Sequence, residues 1–247
     1  MRIGIFGDSA FSWHGFSQKD LDSDTDCISW NDKVCEYFNA SQYNKAVHQG
    51  SSERILCELK DSDFNFDLVI ISIPMADCFY LPNCNRDLAF NSDYEHRAEL
   101  VFKQDMGDSP DALFNITAIE EYRQNKINPK AISEQFSTVD EFIQTLRLYK
   151  KHLYNHKIAK NRHAGALIQI DSLLRFRNIK ALYSCPLHYV PPWVNLEAGP
   201  IFEELYDATK KYRMWRNLPN AITLEGQEEI SKLVIEKIIS MEGWLSG

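Results

Sequence analysis

The segment Ile3-Gly4-Ile5-Phe6-Gly7-Asp8-Ser9 places a serine two residues beyond a glycine turn. A serine where a buried strand turns into a loop or helix is well placed to be a nucleophile. Its hydroxyl projects from the sheet edge, and its own N–H can help bind an oxyanion. A serine there can also do no more than cap the turn. Acyl transfer by Ser9 needs a proton acceptor roughly 2.6–3.2 Å from the hydroxyl. Three histidines are candidates: His188 in Cys185-Pro186-Leu187-His188-Tyr189, His48 just before Gly50, and His14. His188 ranks first because it comes from a separate segment that can reach across the site. Each of the three can equally be a surface or hydrogen-bonded loop histidine. Other chemistries lack their signatures. There is no G-x-x-x-x-G-K-[ST] phosphate loop and no G-x-G-x-x-G fingerprint. His152 and His156 have helical i, i+4 spacing without the Glu of H-E-x-x-H, so no metal and no cofactor is expected.

The elements that must hold these residues follow from hydrophobic spacing. Arg2–Phe6 reads as a short buried strand. Trp30, Val34, Cys35 and Phe38 predict a helix over about Cys27–Asn39. Lys45–Val47 reads as a second strand, and Ser52-Glu53-Arg54-Ile55-Leu56 opens a helix. Leu68–Ile73 is the clearest strand, a continuous apolar run suited to a parallel sheet buried on both faces. Ser137-Thr138-Val139-Asp140-Glu141 contains two overlapping capping boxes before a helix marked by Phe142, Leu146, Tyr149 and Leu153. A further helix is expected over about Ala164–Arg175, and a strand over Ala181–Ser184. Thr223 caps a last helix whose core face is Ile230, Leu233, Val234 and Ile238. Strands alternating with helices predict the α/β class with a mostly parallel sheet. Residues 79–136 show no sustained period and read as an insertion with some short helices. The chain therefore reads as one domain, 1–247, with that insertion.

In such sheets the working site lies at the carboxyl ends of the strands. Gly7–Ser9, His48–Ser52, Pro74–Cys78 and Pro186–Tyr189 then converge on one edge. Gly7-Asp8-Ser9 directly after the first strand, with Gly50 after the second, resembles the SGNH/GDSL hydrolase family. The resemblance implies a flavodoxin-like three-layer α/β/α sandwich and metal-independent cleavage of esters and related acyl groups. It also implies Ser9 as nucleophile, with Asp8 beside it, and the Gly50 N–H in the oxyanion hole. Further on, the chain departs from the family pattern. The third block falls on Pro74-Met75-Ala76-Asp77, where the family glycine is Pro74 and the oxyanion asparagine is Ala76; Asp77 is kept. Asn220-Ala221-Ile222-Thr223-Leu224-Glu225-Gly226 aligns with the last block, with Ala221 at the histidine and Leu218 at the aspartate. His188 is the expected substitute base. Asp77 can orient a histidine or cap a helix.

The 247 residues carry a net charge of −8, which argues against a general nucleic-acid coat. The charge is uneven. Residues 1–120 hold 9 Lys+Arg against 21 Asp+Glu, and residues 121–247 hold 18 against 14. No acidic residue occurs between Glu141 and Asp171. That basic interval, residues 142–170, reads as the solvated face of a helix or as a docking surface for an acidic partner, including another copy. Self-association that is unchanged by a tenfold rise in salt would rule out such docking. No apolar run approaches the ~18 residues of a membrane span, and no secretory signal is read at the N-terminus. The six cysteines form no C-x-x-C pair and read as reduced, mostly buried thiols of a cytoplasmic protein. Two functions stand side by side. One is an SGNH-like serine ester hydrolase with a weakened or rearranged site, acting on a small ester or acyl substrate. The other is an inactive SGNH-fold binding or structural module, including a phage virion or assembly role.

Overall fold

In a computed structural model, the structure describes residues 1–7, 29–46, 51–76, 78–79, 88–89, 148, 152–153, 155–214 and 221–241. Its centre is the continuous apolar strand foreseen at Leu68. Strand β1 covers Arg2–Phe6, helix α1 Trp30–Tyr37, β2 Ser41–Asn44, helix α2 Ser52–Asp61 and β3 Leu68–Ser72. Short strands β4, Cys78–Phe79, and β5, Leu88–Ala89, pair antiparallel. Helix α3 covers His156–Phe176 and β6 Lys180–Ser184, followed by a 3-10 turn over Leu187–Tyr189. Helix α4 is Glu203–Lys211. Strands β7, Arg213–Met214, and β8, Ala221–Ile222, form a second antiparallel ladder before helix α5, Leu224–Ser240.

β1, β2, β3 and β6 form one all-parallel sheet in the order β2-β1-β3-β6. Side chains alternate across a strand, so each strand feeds two cores. Val69, Ile71, Ala181 and Tyr183 pack with α2 and α3 residues such as Ile55, Leu59, Leu167 and Ile170. Ile3, Ile5, Leu68, Ile70 and Leu182 pack on the other face with Trp30, Val34, Leu205, Ile230 and Val234. The result is the expected three-layer α/β/α arrangement. β1 is a central strand, with β2 on one side and β3 on the other, and the chain changes direction there.

Several expectations change in detail. The second strand is Ser41–Asn44, and Lys45 and Ala46 of the expected Lys45–Val47 follow its end, Val47 lying outside the described residues. As an edge strand it is half-exposed and needs no apolar run. Tyr43 stacks near Phe6 and Phe66, with ring centroids 6.1 and 5.4 Å away. The Lys45 N–H still donates to Ile5 O, and Asn44 Oδ1 then accepts from the Ala46 N–H to end the ladder. Helix α1 begins at Trp30 behind a capping box: Ser29 Oγ accepts from the Asp32 N–H, and Asp32 Oδ2 accepts from the Ser29 N–H. Helix α3 starts eight residues before the expected Ala164, because Asn155 Oδ1 accepts from the Lys157 and Ile158 N–H groups. The first two turns carry basic residues rather than an apolar stripe, so periodicity did not reveal them. Within residues 79–136, the described part is strand rather than helix. The capping boxes at residues 137–141 lie outside the described residues, as does most of the helix expected after them; Leu153 is described and exposed. Thr223 caps α5 as expected, its Oγ1 accepting from the Gly226 N–H at 3.1 Å, and Ile230, Val234 and Ile238 are buried.

The outer edge of β6 is covered by irregular chain. The Ala181 and Tyr183 N–H groups donate to Ala198 O and Pro200 O, and the Phe202 N–H donates back to Tyr183 O. Such cover removes an open sheet edge. It requires Gly199, where a Cβ would lie 1.7 Å from Ala181 O.

Candidate functional site

The carboxyl edge of the sheet is built around the end of β1. Gly7 has φ +115°, a conformation L side chains rarely adopt, and a Cβ there would lie 2.3 Å from Ser72 O. Only glycine lets the chain turn this tightly against β3. Ser72 pairs in register with Ser184, so the ends of β3 and β6 present serines side by side. Both serines are buried, and among the described residues the Ser184 hydroxyl has no hydrogen-bond partner. Asp8, Ser9, His14, His48, Gly50 and Asp77 lie outside the described residues. Pro74, Met75 and Ala76 continue from β3 at the same edge, and Ala221 lies in the β7–β8 ladder.

His188 sits in the 3-10 turn after β6 and is exposed. Its ring meets the Tyr189 ring edge-on, with centroids 4.8 Å apart at 85°. The turn is pinned on both sides. The Leu187 N–H donates to Glu203 Oε1 at 2.6 Å, and the Tyr189 and Tyr206 hydroxyls meet at 3.3 Å. These contacts tie the turn to the start of α4.

A second histidine, His163, which lies in the basic interval 142–170, is central to this edge. His163 Nδ1 lies 2.7 Å from Ser52 Oγ, and His163 Nε2 lies 2.9 Å from Tyr189 O. A carbonyl only accepts, so Nε2 carries the ring proton. In the neutral ring Nδ1 is then bare, and the Ser52 hydroxyl donates to it. A serine, a base and an oriented ring are the parts of a nucleophile–base pair. Here, however, Ser52 is 1% and His163 3% exposed, so the pair is sealed between α2 and α3. The two residues are 111 apart in sequence, and only helix packing joins them. The one local signal was Ser52 at a helix start.

Asp171, in the sequence only the end of the acid-free interval, is a second buried ionisable group of this face. It is 1% exposed. Its Oδ1 accepts from Tyr183 Oη at 3.0 Å, the Glu197 N–H at 2.9 Å and the Ala198 N–H at 2.8 Å. Its Oδ2 pairs with Arg175 Nε at 2.9 Å, and Arg175 also pairs with Glu197. Asp171 therefore holds the chain that covers β6. Burial, reinforced by the Asp171 charge, pushes the Tyr183 phenol well above its ordinary pKa. No catalytic task is visible for this group, which lies away from the carboxyl edge.

The Cys35, Cys57 and Cys185 thiols are all held above the ordinary thiol pKa, which disfavours the nucleophilic thiolate. Burial, with help from Glu203, pushes Cys185 up to about 12, and burial with Asp32 pushes Cys35 up to about 11. Among the described residues no group of three His, Cys, Asp or Glu side chains could hold a metal ion. No helix among them is long and apolar enough to cross a membrane. In the basic interval, Arg162 is engaged by Glu53 at 2.6 Å, while Lys157 and Lys160 face solvent. No family model matches the chain, and no curated protein matches its sequence.

Proposed function

We propose that the chain is an SGNH/GDSL-like serine acyl hydrolase with a rearranged site. Ser9 is the nucleophile and His188 the general base, with the N–H groups of Ser9 and Gly50 as oxyanion donors. Asp8 flanks the nucleophile, and Asp77 either orients the histidine or caps a helix. The observation that carries this reading is the turn at Gly7. The sheet order makes the end of β1 a topological switch point, where α/β sheets bind ligands, and Gly7-Asp8-Ser9 begins there. The exposed His188, on the turn after β6, supports a base drawn from a neighbouring loop rather than from the position of Ala221.

In this reading Ser9 Oγ attacks the ester carbonyl carbon and passes its proton to His188. The tetrahedral intermediate collapses, and the leaving alkoxide takes that proton. Water, deprotonated by His188, then cleaves the acyl-serine and regenerates both groups.

The test is labelling by a fluorophosphonate probe, with Ser9→Ala as control. The expected result is a labelled protein whose signal disappears in the variant. No labelling at high probe concentration would overturn the hydrolase reading. It would favour the inactive SGNH-fold module, including a virion or assembly component, for which Ala76 and Ala221 are the supporting residues.

A further inference from the structure

We infer that His163 is a positioning residue for the acyl transfer proposed above, on which this inference rests. One ring fastens the start of α2 to the turn after β6, the turn that carries the proposed base. β2 and β6 are the outer strands of the four-stranded sheet, and β1 and β3 run between them. The loop after β2 leads through Gly50 into α2, where Ser52 donates to His163 Nδ1. The turn after β6 carries His188, and the carbonyl of the next residue, Tyr189, accepts from His163 Nε2. The start of α2, two residues after Gly50 in the sequence, and the turn that carries the proposed base thus share one buried anchor on α3.

The chemistry suits an anchor. Both ring nitrogens are occupied, so His163 has no free atom with which to serve Ser9. An imidazole is rigid, and its two nitrogens lie on opposite sides of the ring, so it sets a separation as well as two directions. At 3% exposure it does not exchange these bonds for water. The turn keeps its own closure, from the Tyr189 N–H to Pro186 O and the Val190 N–H to Leu187 O. Loss of the ring should therefore move the turn as a unit and leave its internal structure intact. A displacement of about 1 Å at a reacting group can cost about 10²-fold in rate.

The experiment compares fluorophosphonate labelling rates of His163→Phe, His163→Asn and His163→Gln across pH. Glutamine places an amide N–H near the former Nε2 and keeps the bond to Tyr189 O. Asparagine reaches only toward Ser52. Labelling is expected to fall about 10²-fold in the Phe and Asn variants and to recover most of that loss in the Gln variant. The shape of the pH profile should be the same in all three, because the proposed base is left in place. Cooperative unfolding of each variant is checked first, and if the Phe variant does not fold, the Gln–Asn pair carries the comparison. Equal rates in wild type and in the folded variants would overturn the positioning role and leave the hydrolase reading standing. Absence of labelling in the wild type would overturn both. Loss of the pH dependence in the Gln and Asn variants would make His163 itself the base. Labelling lost in Ser52→Ala but kept in Ser9→Ala would make the buried pair the nucleophilic site, and would also overturn the proposal.

Discussion

Replacing His188 by glutamine is expected to lower acyl hydrolysis by about 10⁶-fold, with Ser9→Ala giving a loss of the same size. In the proposed mechanism the two groups act as one unit: without the base the hydroxyl would not be activated, and without the hydroxyl the base would have no proton to take. The double variant Ser9→Ala/His188→Gln should therefore be no slower than either single one. Steady-state hydrolysis of a short activated ester, followed against pH, checks this. The effect should be on catalysis alone, because the His188 side chain is exposed and its visible ring contact is with the neighbouring Tyr189. A His188→Gln variant with undiminished turnover would remove this residue from the mechanism and direct attention to His14 and His48.

The largest expected effect on stability is at Asp171. Asp171→Ala should destabilise the fold by about 3–5 kcal/mol, measured by denaturant unfolding. The substitution strands three donors at once: the Tyr183 hydroxyl and the Glu197 and Ala198 N–H groups. Each orphaned buried group costs about 1–3 kcal/mol. Arg175 contributes less, because its half-exposed side chain can turn to water. Asp171→Asn keeps an acceptor at the Oδ1 position and should cost only about 1–2 kcal/mol, mainly the lost pairing with Arg175. Tyr183→Phe removes one donor without stranding the carboxylate and should fall near that smaller value. A loss below about 1 kcal/mol for Asp171→Ala would mean that the chain covering β6 is held by its backbone bonds to Ala181 and Tyr183 alone. A total stability of about 5–15 kcal/mol makes the larger figure a substantial fraction of the whole.

The parts of this protein that were legible in its sequence are those written in short-range pattern. The uninterrupted apolar run from Leu68 names a strand buried on both faces, because only such a strand needs no polar side. Ile3 and Ile5 around Gly4 name its neighbour. Thr223 with Ile230, Val234 and Ile238 names the last helix, because a cap and a 3.6-residue stripe are local facts. Alternation of these elements determined the α/β class, and Gly7 was already marked as a turn. Its positive φ and its approach to Ser72 explain why glycine stands there.

Tertiary structure decided what depends on position in the sheet and on contacts between distant segments. β2 was displaced from Lys45–Val47 to Ser41–Asn44 because an edge strand is selected by its partner's free hydrogen-bonding groups, not by its own hydrophobicity. The early start of α3 came from a cap, Asn155, ahead of two basic turns whose apolar signal was weak. Arg162, part of a run that suggested a docking surface, turned out to be paired internally with Glu53. Asp171 marked only the end of an acid-free interval until the fold brought Tyr183 and the backbone of Glu197 and Ala198 around it. Ser52 and His163 carry no mutual signal at all across the 111 residues between them. The sequence alone determined which residues are able to do chemistry. The packing of α2 on α3 decided that Ser52 and His163 would be sealed together. The turn after β6 decided that His188 would be left in reach of solvent, because burial and hydrogen-bond partners are properties of the assembled layers rather than of any one segment.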